Sequence, residues 1–180
     1  MSLKNDVKQV LLSEQQIKEI NKKLAEQINR DYKGKKLLLV SVLKGAVVFL
    51  SDLMREIDLP CTIDFMIVSS YGSGVKTSGV VKIIKDLDTN LEGFDVLIVE
   101  DILDSGLTLS YIVDILKRRN PSSVKICTFL DKPERRAADI KADYVGAQVP
   151  DEFVVGYGLD YDEKYRNLPF VGVLKPEIYS

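Results

Sequence analysis

The stretch that decides the fold is Val96-Leu97-Ile98-Val99-Glu100-Asp101-Ile102-Leu103-Asp104-Ser105-Gly106-Leu107-Thr108-Leu109-Ser110. Its first four residues are apolar, which is typical of a strand buried on both faces of a parallel sheet. Glu100 and Asp101 follow, and we expect them at the carboxyl end of this strand, where open α/β sheets bind their ligands. Residues 104–108 then form a short turn of small and hydroxyl residues.

An amphipathic helix is predicted directly after this turn. Its apolar face is formed by residues spaced three and four apart, namely Leu109, Ile112, Val113 and Leu116. The helix is expected to end at Asn120-Pro121. Free N–H groups and the positive dipole end at its N-terminus predict a phosphate-binding site. Because carboxylates repel a nearby phosphate, we expect a divalent cation or sugar hydroxyls between them.

The rest of the chain shows further strand and helix patterns. Ser13 and Gln16 predict a capping box at the start of a first helix that ends near Gly34. A second helix is predicted after Ala46. Strands are predicted at residues 36–43, 63–69, 80–84, 124–130, 143–149, 153–156 and 171–174.

The composition limits the possible classes of protein. A chain of 180 residues with 46% hydrophobic residues suits one well-buried domain. The net charge of −2 favours neither nucleic acid nor an anionic membrane surface as a partner. No apolar stretch is long enough to span a bilayer, and the polar start predicts no secretory signal. Cys61 and Cys127 are expected to be free, buried thiols in a reducing cytoplasm.

Histidine is absent from the sequence. This excludes a Ser-His or Cys-His nucleophile and a zinc site with histidine ligands. Proton transfer must therefore use Asp, Glu, Lys, Tyr or water. The absence of histidine therefore favours chemistry that is based on carboxylates and magnesium.

The run Val-Glu-Asp-Ile-Leu-Asp-Ser-Gly-Leu-Thr at residues 99–108 resembles the phosphoribosyl pyrophosphate signature of the type I phosphoribosyltransferases. The resemblance extends from about Ile17 to Leu174. It implies an α/β fold with a mainly parallel central sheet flanked by helices. It also implies a small hood formed by the chain ends and a flexible lid loop, with residues 1–180 forming a single domain.

The resemblance assigns a role to each part of this signature. Glu100 and Asp101 would hold the ribose hydroxyls and Mg²⁺, and Asp104 would be the catalytic group that takes or holds the proton at N7 of a purine. The 5-phosphate would be bound by Asp104, Ser105, Gly106, Leu107, Thr108 and Leu109. Some relatives carry a polar residue at the position of Leu107. Since the loop binds phosphate mainly through backbone N–H groups, this difference changes little.

Lys44 and Gly45 follow a predicted strand at the same edge of the sheet. Such a pair is ordinarily a helix-starting turn with a solvated lysine. In the family, however, this position resembles the loop whose backbone and lysine contact pyrophosphate, often through a non-proline cis peptide bond. Gly45 would suit such a backbone. We therefore expect Lys44 and Gly45 to bind pyrophosphate.

Residues 70–79 are rich in glycine and hydroxyl residues and lie between two predicted strands. Their spacing fits neither a P-loop nor a dinucleotide-binding motif. A hairpin tip and a lid that excludes water from the site are both compatible with this composition. Ser70-Tyr71 matches the lid motif of the family, which favours the lid.

Lys132 lies at the carboxyl end of another predicted strand, where an ammonium group can donate to a carbonyl oxygen. The resemblance implies that it contacts the 6-oxo group of a purine. Arg135 and Arg136, in the same charged run, are expected to be solvated turn residues.

The segment Phe153-Val154-Val155-Gly156-Tyr157-Gly158-Leu159-Asp160-Tyr161 is the second specific motif. An aromatic in a strand is ordinarily a core residue, but it can also stack on a flat base. The segment resembles the base-binding segment of the hypoxanthine-guanine branch of the family. This implies that Phe153 stacks on the base, Val154 contacts it through its backbone and Asp160 helps to hold magnesium. Arg166 matches an arginine that binds pyrophosphate, a task suited to its planar fork.

The resemblance implies a cytoplasmic purine-salvage transferase that acts on a 6-oxopurine base and phosphoribosyl pyrophosphate, uses Mg²⁺ and forms a homodimer or homotetramer. One alternative is a non-catalytic sensor of the sugar phosphate, although the sequence lacks the basic surface or DNA-binding segment that such a protein would need. A receiver-like signalling domain would carry acids where Leu43-Lys44-Gly45 stands. An adenine- or orotate-specific relative is disfavoured by the donor Lys132. Preference among hypoxanthine, guanine and xanthine stays open.

Overall fold

Nine strands and four α-helices make up the structure, a computed structural model that describes residues 2–70 and 81–179. The strands are β1 (Val7–Leu12), β2 (Leu37–Leu43), β3 (Cys61–Ser70), β4 (Val81–Lys85), β5 (Asp95–Leu103), β6 (Ser123–Asp131), β7 (Tyr144–Gln148), β8 (Val154–Val155) and β9 (Val171–Leu174). The helices are α1 (Glu14–Asp31), α2 (Val47–Glu56), α3 (Leu107–Lys117) and α4 (Pro176–Tyr179). Short 3₁₀ helices lie at Leu3–Asp6 and Pro133–Arg135.

A six-stranded sheet in the order β4-β3-β2-β5-β6-β7 forms the centre of the molecule. All neighbouring strands in it are parallel except the edge strand β4, which runs antiparallel to β3. The prediction of a mainly parallel sheet is therefore confirmed. Parallel strands end at one edge, so the carboxyl ends of β2, β5 and β6 bring their loops together there.

Helices cover both faces of the central sheet. In β2, Leu37 and Leu39 pack into the core on the side of α1 and α2, whereas Leu38 and Val40 pack into the core on the side of α3. The same alternation occurs in β5. It arises because successive side chains of a strand point to opposite faces, and it explains why these strands are apolar throughout.

The three-stranded antiparallel sheet β1-β9-β8 forms the hood that the sequence predicted from the chain ends. Val154 and Val171 of this sheet belong to the same core as the central strands. The predictions contain no strand before residue 36, so β1 was missed. Three of its six residues, Lys8 to Val10, are exposed, and the apolar alternation that reveals a strand is therefore lacking.

Strand β5 is longer than its apolar run predicts. It extends through Glu100 and Asp101 to Leu103, because its pairing with β6 continues as far as Leu103 opposite Asp131. The two acids thus lie at the carboxyl end of the strand, as predicted, although the strand continues for two residues beyond Asp101. The capping box of α1 is present, with Ser13 accepting from the Gln16 N–H and Gln16 accepting from the Ser13 N–H.

Three further expectations can be compared with the described residues. Cys61 and Cys127 are free, as expected, but only Cys127 is buried and Cys61 is half-buried. None of the described helices has the length and hydrophobicity to cross a membrane. Ser70 is the last residue of β3, whereas Tyr71 and the rest of the predicted lid lie outside the described residues.

Candidate active site

The turn between β5 and α3 forms the predicted phosphate loop. Gly106 precedes α3 in a left-handed conformation with φ of 77°, and the Leu107 N–H lies 3.5 Å from Ser105 Oγ. The loop borders a cavity of about 160 Å³ lined by Glu100, Asp104, Ser105, Gly106, Thr108 and Leu109 among others. Leu107 is not part of this lining. Five of the six residues predicted to bind the 5-phosphate, all except Leu107, therefore line one concave surface at a helix N-terminus.

The Arg136 side chain is hydrogen-bonded to the backbone of the phosphate loop. The prediction that Arg136 is a solvated turn residue is therefore wrong. Its guanidinium donates to the carbonyl oxygens of Leu103 (3.3 Å), Asp104 (3.0 Å) and Ile140 (2.9 Å), and it pairs with the Asp131 carboxylate. The charged run in the sequence gave no sign of this role, because it depends on carbonyls that lie more than thirty residues earlier in the chain.

Glu100 and Asp101 carry the most perturbed acid groups of the site. Burial, and then the charge of Asp101, raise the pKa of Glu100 well above its ordinary value. Burial also raises the pKa of Asp101 to about 6, although the Ile102 N–H, 2.7 Å from Oδ1, and Arg166 act in the opposite direction. Within the described residues, Glu100 Oε2 is buried and accepts no hydrogen bond. Two adjacent acids with raised pKa values, one of them with an unpartnered buried oxygen, favour a cation between them and an anionic ligand.

The turn after β2 meets the acid pair directly. A Cβ atom on Gly45 would lie 1.9 Å from Asp101 Oδ2 and 3.5 Å from Arg166 Nη1. On its other side, a Cβ on Gly158 would lie 2.1 Å from the Gly45 carbonyl oxygen. Glycine is thus required at both positions for this close approach. The cis peptide bond in this turn joins Leu43 to Lys44, so it does not involve Gly45.

Arg166 connects the segments predicted to bind pyrophosphate and metal. Its Nη1 lies 2.9 Å from Asp160 Oδ1 and donates to the Gly158 carbonyl oxygen at 2.8 Å. Its Nη2 pairs with Glu163 at 3.2 Å, and Glu163 also pairs with Lys44 at 3.0 Å. Lys44 is therefore brought to the segment of Asp160, Glu163 and Arg166, which lies more than 110 residues later in the sequence.

Lys132 is buried at the end of β6. Its Nζ donates to the Glu152 carbonyl oxygen at 2.7 Å, next to Phe153 in the sequence. Burial lowers the pKa of Lys132, while the charge of Asp104 acts in the opposite direction. Phe153 remains 37% exposed, and Val154 is buried and pairs with Val173 in the hood. A hydrogen bond thus connects Lys132 to the segment that contains Phe153 and Val154, the other two residues predicted to bind a purine.

Asp104 lies between the phosphate loop and this segment. In the described part of the chain, its Oδ1 is buried and lacks a hydrogen-bond partner, and its Oδ2 is 3.7 Å from Arg135 Nη1. Arg135 Nε also pairs with Asp151 at 2.8 Å. Arg135 is exposed, as expected of a solvated turn residue, and it also contacts Asp104 and Asp151. Its only sequence signal is its position three residues after Lys132, in the 3₁₀ helix that starts at Pro133.

Comparisons with known proteins agree with this geometry. A family model described as the phosphoribosyl transferase domain matches residues 8–162. The chain is 58% identical over 178 residues to the hypoxanthine-guanine phosphoribosyltransferase of Streptococcus thermophilus, covering 99% of each chain. It is 56% identical over 176 residues to the enzyme of that name from Staphylococcus aureus, covering 98% of each.

A solved structure gives the same result. The crystal structure of a hypoxanthine phosphoribosyltransferase from Staphylococcus aureus aligns with a TM-score of 0.97 at 56% identity, covering 99% of this chain and 97% of that chain. The chain therefore belongs to the phosphoribosyltransferase family and has its type I fold. Within that family it falls in the hypoxanthine-guanine branch, as the second sequence motif predicted.

Proposed function

We propose that the protein transfers ribose 5-phosphate from phosphoribosyl pyrophosphate to N9 of hypoxanthine, guanine or both, releasing pyrophosphate and forming IMP or GMP in purine salvage. The observation that carries this proposal is the approach of Gly45 to Asp101, which joins the turn after β2 to the acid pair beside the phosphate loop. The names of the relatives with more than half of their residues identical support the same activity.

The sugar phosphate has a binding group for each of its parts. The backbone of residues 104–109 would bind the 5-phosphate at the N-terminus of α3. Lys44, the backbone at Gly45 and Arg166 would bind the pyrophosphate. Breaking the bond from C1 to pyrophosphate builds positive charge on the ribose and negative charge on the leaving group. Fixed charges on both sides of that bond stabilise this state more than the ground state.

Magnesium fits the oxygen ligands at this edge of the sheet. Glu100, with its unpartnered buried oxygen in the described structure, and Asp101 would hold the ion, with Asp160 beside them. No group of three or more possible ligand residues is gathered in the described ranges 2–70 and 81–179. Mg²⁺ commonly completes its coordination with substrate phosphates, so we propose that it binds together with phosphoribosyl pyrophosphate. When bound, it would neutralise charge on the pyrophosphate.

The purine would be held between the end of β6 and the hood. Phe153 would stack on the base, Val154 would contact its edge through the backbone, and Lys132 would donate to its 6-oxo group. Asp104, whose free oxygen Oδ1 is buried near Lys132, would take or hold the N7 proton while N9 attacks C1. A carboxylate suits this task in a chain without histidine.

Further parts of the proposal concern the whole chain. We propose that residues 1–180 act as a single domain, since the hood and the central sheet share one core. We also propose that the protein forms a homodimer or homotetramer, supported by the exposed apolar side chains Ile63 and Ile84 on β3 and β4. The proposed location is the cytoplasm, which the free thiols of Cys61 and Cys127 support. Ser70 and Tyr71 would begin the lid. Light scattering of the purified chain tests the oligomeric state.

A panel assay tests the activity. The purified chain is mixed with phosphoribosyl pyrophosphate, Mg²⁺ and one base at a time: hypoxanthine, guanine, xanthine or adenine. We expect pyrophosphate release with hypoxanthine or guanine and little with adenine. Release with none of the bases would contradict the proposal, and release with adenine alone would contradict the role of Lys132.

A further inference from the structure

An aromatic cluster of Phe153, Tyr161 and Tyr179 lies beside the proposed base site. The rings of Phe153 and Tyr179 are stacked, with centroids 5.0 Å apart and planes inclined by 25°. The rings of Tyr161 and Phe153 form a T-shaped pair, with centroids 5.4 Å apart and planes inclined by 88°. The distance between the Tyr161 and Tyr179 centroids is 6.4 Å. Each ring therefore contacts the other two at distances typical of favourable aromatic pairs.

The backbone fixes Tyr179 relative to Phe153. The Phe153 carbonyl oxygen accepts from the Leu174 N–H at 2.8 Å, and the adjacent Val154 pairs with Val173. Helix α4 follows β9 closely, and the Lys175 N–H donates to the Asp6 carbonyl oxygen at 2.9 Å. Phe153 and Tyr179 are thus attached to the same pair of strands.

We propose that Tyr179 is a positioning residue for the purine: it covers one face of the Phe153 ring and holds that ring for the base to stack on its other face. This inference rests on the proposed function, because it assumes that Phe153 stacks on the base. A phenyl ring has two faces, and Tyr179 occupies one of them. Phe153 keeps 37% of its surface exposed despite both aromatic contacts, which leaves room for a second flat partner.

The role predicts an effect on one substrate only. A fixed ring loses less conformational freedom on binding than a free one, so removing Tyr179 weakens base binding. An aromatic pair of this kind contributes enough to change an affinity about two- to tenfold. In the proposed arrangement the sugar phosphate does not contact Tyr179.

The test compares Tyr179→Ala and Tyr179→Phe with the wild-type protein in steady-state assays with hypoxanthine. We expect Tyr179→Ala to raise the KM for hypoxanthine about two- to tenfold, with the KM for phosphoribosyl pyrophosphate and kcat unchanged. Tyr179→Phe keeps the flat ring and should restore the wild-type KM. Tyr111→Ala is the matched control, because Tyr111 is as exposed as Tyr179 (37% and 38%) but lies on α3.

A double variant tests whether Tyr179 acts through Phe153. In Phe153→Ala, the further change Tyr179→Ala should have no additional effect on the KM for hypoxanthine. Equal changes in both KM values, no change, or a lower KM for hypoxanthine in Tyr179→Ala would overturn the inference. Tyr179→Leu, which keeps apolar bulk without a flat face, gives the same comparison if the alanine variant unfolds. Failure of the proposed function is distinguishable, because the wild-type protein would then release no pyrophosphate.

Discussion

Gly45 and Asp101 approach so closely that a Cβ atom on Gly45 would lie 1.9 Å from Asp101 Oδ2. Gly45 lies in the turn after β2 and Asp101 lies in β5, and these two strands are neighbours in the central sheet. Their contact places the proposed pyrophosphate turn against the proposed metal-binding acids. A larger residue at position 45 would require the Asp101 side chain or the turn to shift.

Gly45→Ala should therefore displace Asp101 or the turn itself. A shift of about 1 Å in such a site can lower the rate about 10²-fold, and we expect a loss of kcat/KM of this order. Steady-state assays measure this loss, and a thermal melt checks that the variant is folded. The control is Gly93→Ala, where a Cβ would meet no atom within 4 Å but the φ of 77° strains the backbone, so this variant measures the effect of destabilisation without a contact at the site. Equal losses in both variants would show that the effect is not due to the contact with Asp101.

Asp104→Asn should lower kcat while largely sparing the binding of phosphoribosyl pyrophosphate. The amide cannot accept the N7 proton, and general acid–base catalysis contributes roughly 10²–10⁴-fold. Single-turnover rates and a titration with the sugar phosphate separate the two effects. The control is Asp114→Asn, an exposed acid on α3. Unchanged turnover in Asp104→Asn would remove this residue from the mechanism.

Lys132→Ala should weaken purine binding far more than sugar-phosphate binding, and the binding of the base should depend on pH. Burial lowers the pKa of Lys132, so its ammonium loses its proton at a lower pH than that of a solvated lysine. We expect the KM for hypoxanthine to rise as the pH increases through that range. The control is Lys117→Ala, which changes an exposed lysine on α3.

Hypoxanthine itself also titrates, which affects its KM as the pH rises. The variant Lys132→Arg separates this effect from the titration of Lys132. Arginine keeps its charge at every pH that the assay covers. The pH profiles of KM for hypoxanthine in the wild-type protein and in Lys132→Arg should therefore differ on the alkaline side. Parallel profiles would assign the whole effect to the base.

Magnesium should stabilise the protein only together with phosphoribosyl pyrophosphate, because the described residues form no complete cage for the ion. A ligand at 100 times its Kd stabilises by about 2.7 kcal/mol, or roughly 5–10 °C in Tm for a domain of this size. Thermal melts with each ligand alone and with both test this expectation. Chelation should reverse the combined shift, and Glu100→Gln should reduce it. A full shift with Mg²⁺ alone would contradict joint binding.

Arg136→Met should raise the KM for phosphoribosyl pyrophosphate and lower the Tm. The change removes the donor for the Asp104 and Ile140 carbonyl oxygens, whereas the Leu103 oxygen keeps the Lys132 N–H. Each acceptor left unpaired away from water costs about 1–3 kcal/mol. Melts and steady-state assays measure both effects. The exposed Arg118 provides the control, as Arg118→Met. A normal KM in a variant with a lowered Tm would limit Arg136 to a structural role.

The sequence predicted those parts of the site that local patterns determine. The apolar run 96–99, the acids after it and the turn into α3 are contiguous, so their arrangement follows from one strand and one helix end. The strand β1 and the role of Arg136 could not be predicted in this way. Both depend on partners that are far away in the sequence. The residues of β1 and those around Arg136 have the pattern of an ordinary solvated segment.

The pairing of β9 with both β1 and β8 has a consequence for the order in which the site can be built. A ribosome makes β1 early and β9 more than 150 residues later, so the first strand waits for nearly the whole of translation before its neighbour exists. The nascent chain can complete the central sheet and the phosphate loop during that time. The segment around Phe153 obtains its backbone partners only afterwards, so the capacity to hold a nucleobase should emerge last.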